Sequence, residues 1–126
     1  MEKQPNIEDL KSKISYGIKF WLEFNNKSIL GSGWAELLDK IEKNKGGSLT
    51  LAAKECGYSY KYAWNILKRI EKRTGMPVVI TGKGGRGGGG WVKLNNLGHY
   101  LLKIYKEYLK EIIRIEKKLG ESTKIS

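Results

Sequence analysis

The sequence predicts a mainly α chain with a small amount of β structure, and three observations carry that prediction. Four segments place apolar residues three and four apart between residues that cap or break helices. Short β-rich runs occur at Ser28-Ile29-Leu30, Val78-Val79-Ile80 and Trp91–Leu94. Between the last two lies Gly82–Gly90, seven glycines with Lys83 and Arg86. Glycine that dense buries no side chain and loses the most entropy on ordering, so the segment belongs outside a core.

The elements follow in order. Residues 1–13 read as a flexible polar lead with at most a helical turn. From Ile14 the chain alternates, with Ile18, Phe20, Leu22 and Phe24 on one face, which predicts a half-buried strand. Asn25-Asn26 tolerates positive φ, and Ser28–Leu30 resumes an apolar strand, so a β-hairpin is expected. Trp34–Lys43 reads as a helix with Leu37, Leu38 and Ile41 on one side, ended by Gly46-Gly47. Ser48 is placed to cap a second helix, Leu49–Glu55, and Gly57 forces a tight turn. A third helix runs from Ser59 to about Thr74, where Met76-Pro77 is expected to stop it. After the glycine-tipped hairpin, Asn95 or Asn96 caps a last helix, Leu97–Leu119, roughly 34 Å long.

At 126 residues the chain has room for one ordinary core. Its 40% hydrophobic and 10% aromatic residues are those of a folded protein. The charge is the strong signal: 24 Lys+Arg against 13 Asp+Glu leave +11. It is also focused. Ser59–Lys93 holds Lys61, Lys68, Arg69, Lys72, Arg73, Lys83, Arg86 and Lys93 against Glu71 alone, eight cations to one acid and a net +7. Such a balance favours an anionic partner. The polar, acidic N-terminus is unlike a signal peptide, and no apolar run approaches the roughly 20 residues of a membrane span. The single Cys56 excludes an intramolecular disulfide. A cytoplasmic protein with no membrane partner is expected.

Leu49–Ile66 has the spacing of a helix-turn-helix. Ala53 is small where two helices cross, Gly57 turns the chain, and Ala52, Cys56, Tyr58, Ala63 and Ile66 fill the apolar positions. On the third helix, Lys61, Asn65, Lys68 and Lys72 fall within a stripe roughly 60° wide at 100° per residue. Ala63, Ile66, Leu67 and Ile70 centre on the opposite face. An ordinary solvated face mixes acids with bases, whereas this stripe contains no acid. Recognition helices use their N-terminal part on base edges. Ser59, Tyr60, Lys61 and Asn65 are therefore expected near bases, and Lys68 and Lys72 on phosphates. Tyr62 and Trp64, at the margins, are expected to pack. The following strand–loop–strand reads as a wing whose Thr81, Lys83 and Arg86 meet the sugar-phosphate chain.

Other chemistries lose on context. Gly82-x-Gly84-x-x-Gly87 spells a dinucleotide-binding turn, but a strand follows where that chemistry needs a helix. A P-loop needs Ser or Thr after Gly-Lys, and Lys83 is followed by Gly84. His99, the lone histidine, lies on a helix with an apolar stripe; Cys56 sits at an apolar position; Asp and Glu form no paired constellation. No catalytic residue, metal or cofactor is expected, and no small-molecule effector site within the chain. The last helix sets Leu97, Leu101, Ile104, Tyr108, Ile112, Ile115 and Leu119 three or four apart, a seam too long for this domain to cover alone. A homodimer is expected through it, with packing on the N-terminal hairpin possible along part of its length. The organisation read is a lead over 1–13, a winged helix-turn-helix with N-terminal hairpin over 14–96, a long dimerisation helix over 97–119, and a tail over 120–126.

Gly47-Ser48-Leu49, Ala52-Ala53, Gly57-Tyr58-Ser59-Tyr60-Lys61-Tyr62-Ala63-Trp64, Gly84-Gly85-Arg86-Gly87-Gly88-Gly89-Gly90 and Leu94-Asn95-Asn96-Leu97-Gly98 together resemble the N-terminal domain of ModE-type molybdate-responsive transcription regulators, a LysR-like winged helix-turn-helix. The likeness covers about residues 14–110. It implies a winged-helix dimer on operator DNA, with Ser59–Asn65 as the helix entry and Thr81–Gly90 as the wing. Asn65 stands where the family commonly has Asp, which removes a charge beside DNA. Full-length regulators also carry molybdate-binding domains after the winged helix, so molybdate sensing is not expected within these 126 residues. The function expected is a sequence-specific, homodimeric regulator binding double-stranded DNA at the nucleoid. Its rivals are an architectural chromatin protein of low sequence specificity and a protein-interaction adaptor.

Overall fold

The computed structural model describes residues 4–84 and 90–125, with side chains to residue 121. It is mainly α, with two small antiparallel sheets. Phe20–Tyr108 form one compact unit; Met1–Lys19 with Leu109–Ser126 form another.

In the larger unit, β1 (Leu22–Phe24) and β2 (Lys27–Leu30) pair across Asn25 and Asn26. Both asparagines have positive φ, 48° and 66°, the conformation that a two-residue turn requires to match strand twist. The strand expected from Ile14 starts only at Leu22. Pairing is the reason: β2 ends at Leu30 against the next helix, so residues 14–21 have no partner strand, whatever their alternation. Ile14 is exposed, and so is Phe24 at the other end of the pattern.

Helix α1 (Ile7–Lys11), in the smaller unit, is opened by a capping box between Asn6 and Asp9. Helix α2 (Ser32–Lys43) buries Ala35, Leu37, Leu38 and Ile41. Helix α3 (Leu49–Cys56) is capped by Ser48, whose hydroxyl accepts the Leu51 N–H at 3.0 Å. Gly57 ends it at φ 76°; the Tyr58 N–H reaches back to the Ala53 carbonyl at 2.9 Å. Ser59 then caps α4 (Tyr60–Thr74), accepting the Tyr62 N–H at 3.0 Å. Gly57, Tyr58 and Ser59 thus make the entire turn between the two helices. Ala52, Ala53 and Ala63 are buried along these helices, where larger side chains would hold them apart. Left-handed Gly75 at φ 84° ends α4, two residues before Pro77, so glycine and not proline is the stop.

Strands β3 (Val79–Gly82) and β4 (Trp91–Leu94) form the second hairpin, in register Val79↔Leu94 through Gly82↔Trp91. Val78 is core instead of strand; its carbonyl accepts the Asn95 N–H at 3.0 Å. Helix α5 runs Asn96–Ile125, beyond the Leu97–Leu119 that periodicity predicts. Asn95 caps it through the Gly98 N–H at 2.9 Å, while its amide donates to the Pro77 carbonyl at 2.7 Å. The core joins Leu30, Leu37, Leu38, Ile66, Ile70, Val78 and Leu102, so every element of the larger unit except the hairpin tips is anchored to it.

Candidate nucleic-acid interface

Helix α4 is two-faced. Ala63, Ile66, Leu67 and Ile70 are all buried, and Lys61, Asn65, Lys68 and Lys72 are all exposed. Among the described residues no ion pair involves any of those three lysines. Their charge is directed outward and uncompensated by a carboxylate. Ser59 is exposed at the helix entry, but its hydroxyl oxygen is occupied in capping; the hydroxyl proton remains to donate.

The rings of α4 flank the stripe. Tyr60 is 53% exposed, and Trp64 is half-buried against the core with its ring edge-on to Tyr60, centroids 6.3 Å apart. Tyr62, on the other margin, sits edge-on to Tyr58 at 4.9 Å and is exposed. Of the two residues expected to pack, Trp64 does so in part, and Tyr62 meets the Tyr58 ring while staying exposed.

The β3–β4 hairpin stands beside this helix. A cleft of about 420 Å³ between them is lined by Ser48, Thr50, Tyr60, Trp64, Thr81 and Trp91, among others. Two glycines set the hairpin's position. The Gly47 carbonyl accepts the Val92 N–H at 2.9 Å, and a Cβ at Gly47 would lie 2.8 Å from the Trp91 Cβ. A Cβ at Gly82 would run into the Trp91 indole, so the bare backbone there lets the ring lie across the strand. Lys93 places its ammonium 5.5 Å from the Trp91 ring centroid. Thr81 and Lys83 are exposed on this hairpin; Arg86 lies outside the described residues.

Two features of the predicted site change. Arg73, one of the eight cations of Ser59–Lys93 but not of the predicted stripe, bonds the carbonyl and hydroxyl of Ser28 and lies 5.9 Å over the Trp34 ring. It ties α4 to β2. Its partner is 45 residues away in sequence, so no local pattern announces it. Leu101, expected on a self-association seam, is buried in the chain's own core with Leu102 and Tyr105; Phe20 stacks on Tyr105 at 4.6 Å. Leu97 and Ile104 pack partly on that core, while Tyr108 is exposed. Within the smaller unit Ile112 is half-buried, and Ile115 and Leu119 are exposed.

Sequence reasoning missed the role of Gly47, legible only as a helix terminator, and an ion-pair cluster between α2 and α5. Asp39 binds Lys106 at 2.7 Å and Lys43 at 2.9 Å. Burial works against its charged form, but the hydrogen bonds and charges of Lys106 and Lys43 outweigh it and hold the carboxyl below its ordinary value. His99 meets Glu42 at 2.8 Å on the surface. Cys56 is half-buried; burial first, then Glu36, pushes its thiol up, opposite to an activated nucleophile. Among the described residues no three His, Cys, Asp or Glu side chains converge as a metal site, and no helix is long and apolar enough to cross a membrane.

What these observations define is a mainly α protein in which a basic helix and a glycine-rich hairpin border one cleft. Comparison with characterised proteins gives the relationship. The chain is 34% identical over 91 residues to the molybdenum transport protein ModE of Azotobacter vinelandii, covering 69% of this chain and 33% of that protein. It is 41% identical over 59 residues to the molybdenum-pterin-binding protein MopB of Rhodobacter capsulatus, covering 47% and 22%. It is 37% identical over 59 residues to the DNA-binding transcriptional dual regulator ModE of Escherichia coli K12, again covering 47% and 22%. No family model matches the chain. The chain is a sequence relative of ModE-type regulators, and spans a third or less of the length of these relatives.

Proposed function

We propose that this protein is a non-enzymatic, homodimeric winged helix-turn-helix regulator of transcription that binds double-stranded DNA, working at the nucleoid in the cytoplasm. The observation that carries the reading is the exposed, acid-free stripe of α4: three lysines and one amide on one face, four buried apolar residues on the other. In this reading α4 is the recognition helix. Its entry, Ser59, Tyr60, Lys61 and Asn65, faces base edges; Lys68 and Lys72, one and two turns on, meet phosphates. The β3–β4 hairpin is the wing, with Thr81, Lys83 and Arg86 along the sugar-phosphate chain. The similarity to a protein named as a DNA-binding transcriptional regulator supports the same partner.

Self-association uses the apolar surface that the core leaves uncovered. A cleft of about 660 Å³ between the first hairpin and α5 is lined by exposed Trp21, Phe24, Met76, Tyr100 and Tyr108. Further along α5, Ile112, Ile115 and Leu119 continue the apolar row of the predicted seam, which starts with Leu97 and Ile104. A second copy is the occupant in this reading.

The test is titration of duplex DNA by fluorescence anisotropy across a salt series. Lys61→Ala loses discrimination between selected and random duplex as well as affinity. Lys83→Ala weakens all duplexes about equally and shallows the salt slope by about 1. Unchanged binding in both variants overturns the assignment of these surfaces. A selected-to-random ratio far below about 10³ replaces the regulator with an architectural chromatin protein.

A further inference from the structure

The α4 stripe accounts for cations and an amide, but not for the aromatic pair beside it. Tyr60 is the first residue of α4 and Trp64 lies one turn on, so both rings emerge on the same margin. They meet edge to face at 82°, and 53% of Tyr60 is exposed, so much of this aromatic pair is open to solvent. Tyr60, Lys61, Trp64, Asn65 and Lys68 line one shallow groove, and the same two rings border the cleft toward the hairpin. The core face of α4 is made by Ala63, Ile66, Leu67 and Ile70; Trp64 is only half-buried against that core and Tyr60 is exposed, so an apolar surface is left open at this margin. It stands in the most cationic part of the chain, at the helix entry where base edges are read.

Base edges in the major groove offer one apolar group, the 5-methyl of thymine. We infer that Tyr60, backed by Trp64, is a specificity-determining ledge that reads the 5-methyl group of a thymine beside the base pair engaged by Lys61 or Asn65. The inference rests on the reading of α4 as a recognition helix, and adds the chemical group that its rings select. Lys68, Lys72 and their counterparts hold the duplex in place; the ledge then gains by removing one methyl from water. Burying one such group is worth about fourfold in affinity.

The full chain is used to select duplexes from a random library, and the tightest duplex is resynthesised with each thymine replaced singly by uracil, which lacks only the methyl. Expected is one thymine per half-site whose replacement weakens binding about fourfold. Tyr60→Ala erases that difference by binding the thymine and uracil duplexes equally, while Tyr60→Phe keeps it. Tyr60 is exposed, and an unchanged thermal midpoint confirms that Tyr60→Ala is folded. Trp64→Phe, a conservative change at the half-buried ring, reduces the uracil effect without removing it. Selection of a duplex in which no uracil matters, or a uracil effect that persists in Tyr60→Ala, overturns the ledge while leaving DNA binding by α4 intact. Failure to select any duplex overturns the recognition-helix reading, and the ledge with it.

Discussion

Replacing Gly47 by alanine separates two costs that the structure superimposes at one residue. Gly47 has φ 76°, where an L side chain costs about 1–2 kcal/mol. Its new Cβ would also stand 2.8 Å from the Trp91 Cβ, closer than side-chain carbons approach, and relieving such crowding costs typically about 1–3 kcal/mol. Gly57 supplies the control. It has the same φ of 76°, but a Cβ there meets nothing within 4 Å. Gly57→Ala therefore carries only the backbone cost, and Gly47→Ala carries both. In urea unfolding followed by circular dichroism, Gly57→Ala loses about 1–2 kcal/mol and Gly47→Ala about 2–5. The excess also has a location. The crowded atom is on β4, held to Gly47 by the Val92 N–H, so relief pushes the hairpin away from α3 and weakens duplex binding in the folded variant. Equal losses for the two variants would show that Trp91 yields freely, and that Gly47 does not set the hairpin's position.

Three further outcomes follow from named contacts. Arg73→Ala destabilises by about 1–3 kcal/mol through the lost bonds to Ser28 and the lost Trp34 contact, yet leaves the salt slope of duplex binding unchanged, because this cation does not face the α4 stripe. Asp39, whose carboxyl is held below its ordinary value, stabilises the fold fully above the unfolded value of about 3.9, and that stability is lost as pH falls through the lower folded value. Asp39→Asn therefore lowers stability at neutral pH and flattens the acid limb of a pH–stability curve; an acid limb of unchanged steepness would refute the contribution. Tyr108→Asp sets a charge in the exposed apolar surface of α5 and shifts the sedimentation of a micromolar sample toward monomer, whereas a monomeric parent protein would refute the self-interface itself.

What was legible in the sequence was local chemistry. Ser48 marks a helix start by cap preference, Gly57 marks the turn that follows that helix, and Asn25-Asn26 marks a turn by tolerance of positive φ. The α4 stripe followed from 100° per residue and needed no tertiary information. The misses are tertiary. Ile14–Trp21 alternates like a strand, but a strand exists only where another backbone offers hydrogen bonds, and β2 is four residues long. Leu101 belongs to a periodic row that predicts burial without saying whether the cover is the same chain or another. Arg73 carries the same charge as its neighbours, and only Ser28 and Trp34, distant in sequence, give it a structural role. Gly75 precedes a proline that looked sufficient to end α4, and the earlier residue won because a left-handed glycine closes the last turn directly.

Asn95 has a consequence for how the chain tolerates change in length. One side chain holds the Pro77 carbonyl before β3 and the first turn of α5, its backbone N–H holds Val78, and Leu94 beside it closes the β4 ladder. At Gly98 a Cβ would strike the Val78 carbonyl, so the helix also sits flush on the strand's approach. No spare residue separates strand from helix. A single insertion between Leu94 and Asn95 would turn every side chain of α5 by about 100° about its axis. Leu102 would turn out to the exposed position of Lys103, Leu101 would take the buried place of Leu102, and Tyr100 that of Leu101. The core would have to repack, and whatever surface the helix offers to another molecule would face a new direction. The junction therefore works as a phase lock: substitutions can accumulate along hairpin and helix, but their relative angular setting is fixed by the number of residues between them.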